Sequence, residues 1–389
     1  MARFTLLSRR LLGAGIRPSP CIRAATRTFA TATSSSSSAS QQRPPSDYRI
    51  KLVEVGPRDG LQNEKLAIPL NVKFDLIERL AKAGMTTIEA GAFVSPKWVP
   101  QMEGSSEILE HLLQHPSSSP KPLTYAFLVP NQKGLESAYS VLSRHPDSFT
   151  PDPLPPTKDK PAIELAVFAA ATESFSRANL NCDIDTSLVR FREVIQAAKE
   201  PSNNSPPLRV RAYISVVLGC PFEGHDVDPH QVARIATSLL EAGADEISLG
   251  DTTGMGTAPR TQELLRCLAS AGVRAEDLAM HFHDTYGQAL VNTAVALEHG
   301  IRTFDCSVGG LGGCPYSPGA TGNVASEDMV YFMETLGMDT GVDLDALVDV
   351  GEWISQEIGR SYGSVVGRAV LGARQRAAKA AAQKGDPQS

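Results

Sequence analysis

The chain has 389 residues, 42% of them hydrophobic and 21% charged, a globular composition long enough for one large domain or two small ones. Its formal net charge is −6; without the first 46 residues, 30 basic residues face 43 acidic ones, a net of −13, which argues against a nucleic-acid partner. No stretch approaches the ~20 apolar residues of a membrane span, so no membrane partner is expected.

The first 46 residues hold seven arginines and no lysine, aspartate or glutamate; the first acid is Asp47. Arg3, Arg10 and Arg17 recur every seven residues and would share one helical face, the pattern of a mitochondrial transit peptide. A disordered basic tail is the plainer alternative. A secretory signal fits less well, because Arg9 and Arg10 split the apolar run. Ser34 to Ser38 and Gln41 to Pro45 form a low-complexity linker. Residues 1–47 are therefore read as leader and linker, with a mature protein in the mitochondrial matrix. Beyond Cys21 in the leader, Cys182, Cys220, Cys267, Cys306 and Cys314 show no CxxC or zinc spacing and read as free thiols.

From residue 49 onward, short apolar runs alternate with longer amphipathic segments, as in a parallel sheet with crossover helices. Strands are predicted at Arg49–Val55, Thr86–Ala90, Leu123–Val129, Ile163–Ala169, Arg209–Val217, Glu246–Leu249, Leu278–His283 and Thr303–Val308. Eight such units compose an α/β fold of the (β/α)₈ TIM-barrel type, spanning residues 48–372, with a tail at 373–389 that extends a helix or frays. Three Pro-, Ser- or Asn-rich segments, His115–Pro122, His145–Pro161 and Glu200–Pro207, precede strands 3, 4 and 5 and so belong at the bottom of the barrel.

In such a barrel the chemistry lies at the C-terminal ends of the strands. Strand 1 runs into GPRDGLQNEK, which sets Arg58, Asp59 and Gln62 on a tight loop above the barrel. Standing alone, that loop could equally be a turn with a surface Arg and Asp. Strand 2 ends with Glu89, and strand 6 carries Ser248 and Asp251; each could orient the centre, or Asp251 could cap a helix.

Strand 7 reads LAMHFHD, and side-chain alternation points His281 and His283 to one face. Strand 8 is followed by GGLGGCPYSPGATGN, Gly309 to Asn323, whose six glycines suit a mobile flap carrying the thiol of Cys314. Because strand 8 of a closed barrel neighbours strands 7 and 1, Asp59, His281, His283 and Asn323 can converge. Two imidazoles, a carboxylate and an amide oxygen form an N/O set suited to Mg²⁺ or Mn²⁺.

Together these elements resemble the 3-hydroxy-3-methylglutaryl-CoA lyases. The resemblance rests on GPRDGLQNEK, AFVSPKWVPQM (Ala92 to Met102), LGCPFEG (Leu218 to Gly224), SLGDTTG, HFHDTYGQAL and GLGGCPYSPGATGN, and covers about Arg49 to Gly372. The RDG motif and the HxH pair also occur in isopropylmalate and homocitrate synthases, but the GLGGCPY flap is not usual there. The chain departs from the family in Ala92, where Ser is frequent, and in lacking a cysteine near its C-terminus.

The resemblance implies a TIM-barrel lyase that cleaves an acyl-CoA substrate into acetyl-CoA and acetoacetate, as in leucine catabolism and ketone-body formation, with a homodimer as the expected assembly. It implies Asp59, His281, His283 and Asn323 as metal ligands, Arg58 as the contact to the substrate carbonyl, and Cys314 as a catalytic thiol. Gln62, Ser248 and Asp251 are expected to contact substrate. Asp59, Cys314 or Glu89 could take the proton of the 3-hydroxyl, and His281 could relay one to the enolate. A lyase for another 3-hydroxyacyl-CoA, a Claisen-type condensing enzyme and an inert metal-binding barrel are the competing readings.

Overall fold

The computed structural model describes residues 48–65, 67–201, 206–313 and 322–384. The leader, Cys314 and most of the glycine-rich flap lie outside the described residues. The chain divides into Met1–Arg43 and Pro44–Ser389, and the described residues fall in the second unit.

Eight strands, β1 (Lys51–Glu54), β2 (Thr87–Ala92), β3 (Thr124–Leu128), β4 (Ala162–Ala170), β5 (Arg209–Ser215), β6 (Glu246–Asp251), β7 (Leu278–Phe282) and β8 (Thr303–Cys306), close in sequence order into a barrel. Every neighbouring pair is parallel, including β1 with β8. This is the expected TIM barrel. The predicted strands 1 and 8 are trimmed at both or one end, whereas β2 and β6 reach two residues further, to Ala92 and Asp251.

The covering helices are α1 (Leu70–Lys82), α2 (Ser105–Gln114), α3 (Gln132–Leu142), α4 (Glu173–Leu180), α5 (Ile184–Lys199), α6 (Pro229–Glu241), α7 (Ala258–Ser270) and α8 (Ala289–Glu298). Three more, α9 (Ser326–Thr335), α10 (Leu344–Glu357) and α11 (Val365–Lys384), follow β8. In α1 the burial of Val72, Leu76, Ile77 and Leu80 marks the apolar stripe of a helix packed on a sheet. Asn131, Asp183, Asp228 and Asp343 begin α3, α5, α6 and α10 by accepting a backbone N–H of the first turn, as N-caps do. The helix α11 runs through residue 372, where the barrel domain was expected to end. No helix among the described residues is long and apolar enough to cross a membrane.

The described parts of the three polar insertions do lie before β3, β4 and β5, at the strand N-termini. Between sheet and helices, Leu52, Ile88, Phe127, Phe282 and Phe304 join one apolar core. The inward positions of several strands are polar instead: Glu89, Arg211, Ser248, His281 and Asp305 are all buried. That inner layer positions the site.

Candidate metal centre and active site

The loop after β1 is a single π-helical turn, Gly56–Gly60, in which the amides of Arg58, Asp59 and Gly60 all point to the Val55 carbonyl (3.2, 2.7 and 3.2 Å). Such turns place side chains at sites where a regular helix could not. Gly60 is required by close approach: a Cβ there would lie 2.8 Å from Leu311 Cβ and 2.9 Å from Ser307 Oγ. The turn therefore packs directly on the root of the glycine-rich flap.

Arg58 is not on the surface, as its loop position suggested; only 6% of it is exposed. Its Nη1 lies 2.7 Å from Asp59 and its Nη2 2.6 Å from Glu89, so two carboxylates fix the guanidinium plane. A buried guanidinium demands such partners. Among the described residues its Nε, itself buried, has no hydrogen-bond partner.

His281, at the end of β7, and His283 just beyond it bring ring nitrogens within 4.8 Å of each other and of an Asp59 carboxylate oxygen. Backbone hydrogen bonds from Val324 to Phe282 (3.1 Å) and from Asp284 to Gly322 (2.7 Å) seat residues 322–324 beside this strand end. They deliver Asn323, whose Nδ2 donates to Asp59 Oδ2 at 2.8 Å and to the Leu311 carbonyl at 3.2 Å. The four residues read from the sequence as converging are thus brought together.

The electrostatics suit a cation. Burial opposes ionisation of Asp59, but Arg58 and then the two imidazoles hold its carboxyl below the usual range. Burial, with His281 alongside, pushes His283 down to about 4, so it is a neutral imidazole near pH 7, the form that ligates metals. Burial also disfavours charge on His281, but Asp305 outweighs it and raises its pKa. Glu89 is raised by burial against the pull of Arg58.

Beneath the centre lies a hydrogen-bonded belt that the sequence reading missed. Asp305 accepts from Arg211 Nη2 (2.5 Å) and from the Ser248 hydroxyl (2.8 Å), and lies 3.1 Å from His281 Nδ1. Arg211 Nη1 donates to the Tyr213 hydroxyl (3.3 Å), which donates to Glu89 (3.0 Å). A signal was available: β5 carries Arg209, Arg211 and Tyr213 at alternate positions, and β8 carries Thr303 and Asp305, placing polar groups where a barrel interior is ordinarily apolar.

The remaining expected residues separate into two groups. Gln62 lies at the centre, its Nε2 donating to Asp59 at 2.7 Å. Ser248 lies within the barrel, its hydroxyl committed to Asp305, and so faces Asp305 where a substrate contact was expected. Asp251 is buried at the end of β6 and accepts from the Gly256 amide at 3.0 Å; burial raises its carboxyl to about 7. It does not cap α7, whose N-cap position is Thr257.

The residues 49–354 match the family model described as HMGL-like. The chain is 50% identical over 323 residues, 83% of its length, to a Pseudomonas aeruginosa protein named 3-hydroxy-3-isohexenylglutaryl-CoA/hydroxy-methylglutaryl-CoA lyase, of which it covers 97%. It is 45% identical over 321 residues to the mitochondrial hydroxymethylglutaryl-CoA lyase of Rattus norvegicus, with 82% of this chain and 89% of that protein covered. The crystal structure of hydroxymethylglutaryl-CoA lyase from Pseudomonas aeruginosa superposes with a TM-score of 0.73 at 50% identity, covering 84% of this chain and 98% of that one.

Proposed function

The chain belongs to the HMGL-like family, and from that premise we propose that it cleaves 3-hydroxy-3-methylglutaryl-CoA into acetyl-CoA and acetoacetate with the help of Mg²⁺ or Mn²⁺. The observation that carries the reading is the convergence of Asp59, His281 and His283 at the top of the barrel, with the buried Arg58 paired to Asp59 beside them.

The donor set fits a divalent cation: one ionised carboxylate, a neutral imidazole, and a second imidazole whose outer nitrogen faces a carboxylate. Asp59, His281 and His283 would hold the ion, and Asn323 would join as a fourth ligand by turning its amide so that the oxygen replaces the Nδ2 that now meets Asp59. When bound, such an ion supplies Lewis acidity that lowers the pKa of a coordinated hydroxyl by many units.

The chain's own residues supply the rest. Cleaving the C2–C3 bond of a 3-hydroxy thioester removes the hydroxyl proton and leaves negative charge on the thioester oxygen. Arg58, fixed by Asp59 and Glu89, would set its guanidinium charge toward that oxygen, an interaction that strengthens as charge develops. Of the two described carboxylates, Asp59 lies at the cation site and is partly exposed, whereas Glu89 is completely buried and paired with Arg58. Burial raises the Glu89 carboxyl against the pull of Arg58, whereas Arg58 and the imidazoles hold Asp59 ionised, so both bear on where the hydroxyl proton goes. Cys314, outside the described residues, is assigned to protonation of the departing enolate.

The arginine-rich, acid-free leader and the mitochondrial name of the rat relative support a matrix location, and with it a place in leucine breakdown and ketone-body formation. A homodimer is proposed as the assembly, to be read from the mass of the purified protein in solution. A second reading is favoured by the name of the Pseudomonas aeruginosa relative, which includes a substrate with a longer 3-substituent. Assaying acetoacetate release from 3-hydroxy-3-methylglutaryl-CoA, with and without EDTA, tests the first. Turnover confined to longer-chain 3-hydroxyglutaryl-CoA esters would transfer the assignment to the second.

A further inference from the structure

His281 and Asp305 are register partners on β7 and β8. The Asp305 side chain is completely buried, and among the described residues its oxygens accept from Arg211 Nη2 at 2.5 Å on Oδ1 and from the Ser248 hydroxyl at 2.8 Å on Oδ2. An ionised carboxylate accepts and never donates. His281 Nδ1, 3.1 Å from Oδ2, must therefore carry the proton of that contact. The other ring nitrogen, Nε2, then presents its lone pair on the side of Asp59, whose Oδ2 is 3.9 Å away. Arg211 is itself ion-paired with Glu246, whose Oε1 lies 2.9 Å from its Nε.

We propose that Asp305 is a positioning residue that fixes the tautomer and ring orientation of His281, aiming the Nε2 lone pair into the cation site. The inference deepens the reading of Asp59, His281 and His283 as that site and rests on it. Carboxylates that hold the outer nitrogen of a ligating histidine are worth about 10- to 100-fold in metal affinity.

The test is Asp305→Asn. Arg211 only donates, so the amide oxygen must stay on Arg211 and the amide NH₂ must face His281. Nδ1 then has to accept, and the proton moves to Nε2. Two measurements read this out in the full chain: the ¹⁵N shifts of the His281 ring in metal-free protein, assigned with His281→Gln, and Mn²⁺ affinity by electron paramagnetic resonance. At a pH high enough to keep the His281 imidazole neutral, the expected result is an unprotonated Nε2 in the parent, a protonated Nε2 in Asp305→Asn, and Mn²⁺ affinity about 10- to 100-fold weaker in the variant. In a His281→Gln background, Asp305→Asn should weaken Mn²⁺ binding no further.

A folded Asp305→Asn protein with an unprotonated Nε2 and parental Mn²⁺ affinity would overturn the proposal. So would an equal loss of affinity in the His281→Gln background. If Asp305→Asn does not fold, Asp305→Leu with Arg211→Met removes both buried charges, and it should lose the Nδ1–H preference and the same affinity; retention of both overturns the proposal. Should the parent bind no Mn²⁺ at all, the cation reading fails, and the tautomer shifts still decide the role of Asp305.

Discussion

The guanidinium of Arg58 lies 2.6 Å from the carboxylate of Glu89, so the loop after β1 and the middle of β2 are joined by a buried ion pair. Arg58→Lys keeps the charge but loses the planar fork that satisfies Glu89 and Asp59 together. Loss of a donor aimed at a developing oxyanion costs on the order of 3 kcal/mol. The expected outcome is a fall in kcat of about a hundredfold or more. Because the residue is buried between two acids, the melting temperature should fall as well. If kcat held and only KM rose, Arg58 would contribute uniform substrate binding.

His283→Ala removes a neutral imidazole from the cluster without touching the belt beneath it. Metal content by elemental analysis should drop while circular dichroism stays that of the folded parent, with some loss of melting temperature because the imidazole is buried. Unchanged metal in the folded variant would remove His283 from the ligand set.

Cys314→Ala should lose most turnover while binding Mn²⁺ as the parent does, since the proposed ligands are Asp59, His281, His283 and Asn323. The complementary check is alkylation: iodoacetamide should inactivate in step with modification of Cys314. Activity that survives full modification of this thiol would dismiss it from the mechanism.

Two buried carboxylates give the stability a pH dependence of definite sign. Glu54 accepts from the amides of Gly56 and Val308 and from Ser326, and burial raises its carboxyl to about 7. Glu327 accepts from the Gly309 amide and the Tyr362 hydroxyl, and burial raises it to about 8. Both start from 4.5 in the unfolded chain. The folded state thus retains protons that the unfolded chain has released, and stability falls as pH rises from about 4.5 to about 8. Glu327→Gln should flatten that decline by up to the order of 3 kcal/mol, read as the difference in unfolding free energy between variant and parent at pH 5 and pH 8.5. A decline as steep in the variant would place the titration elsewhere.

Much of this protein was determined by local sequence. Eight apolar runs separated by amphipathic segments dictate eight strand and helix units, because the two periodicities are properties of the backbone and need no knowledge of distant partners. The same alternation set His281 and His283 on one face, and the rule that barrel chemistry lies at strand C-termini directed attention to Arg58, Asp59 and Glu89. Tertiary structure decided the rest. Register pairs His281 with Asp305 and brings Arg211, 94 residues earlier in the chain, onto the same carboxylate. Barrel closure turns Arg58 from a loop residue into a buried one held by Glu89. Those contacts depend on how eight strands stagger when the sheet closes, a long-range geometric condition that no local pattern encodes.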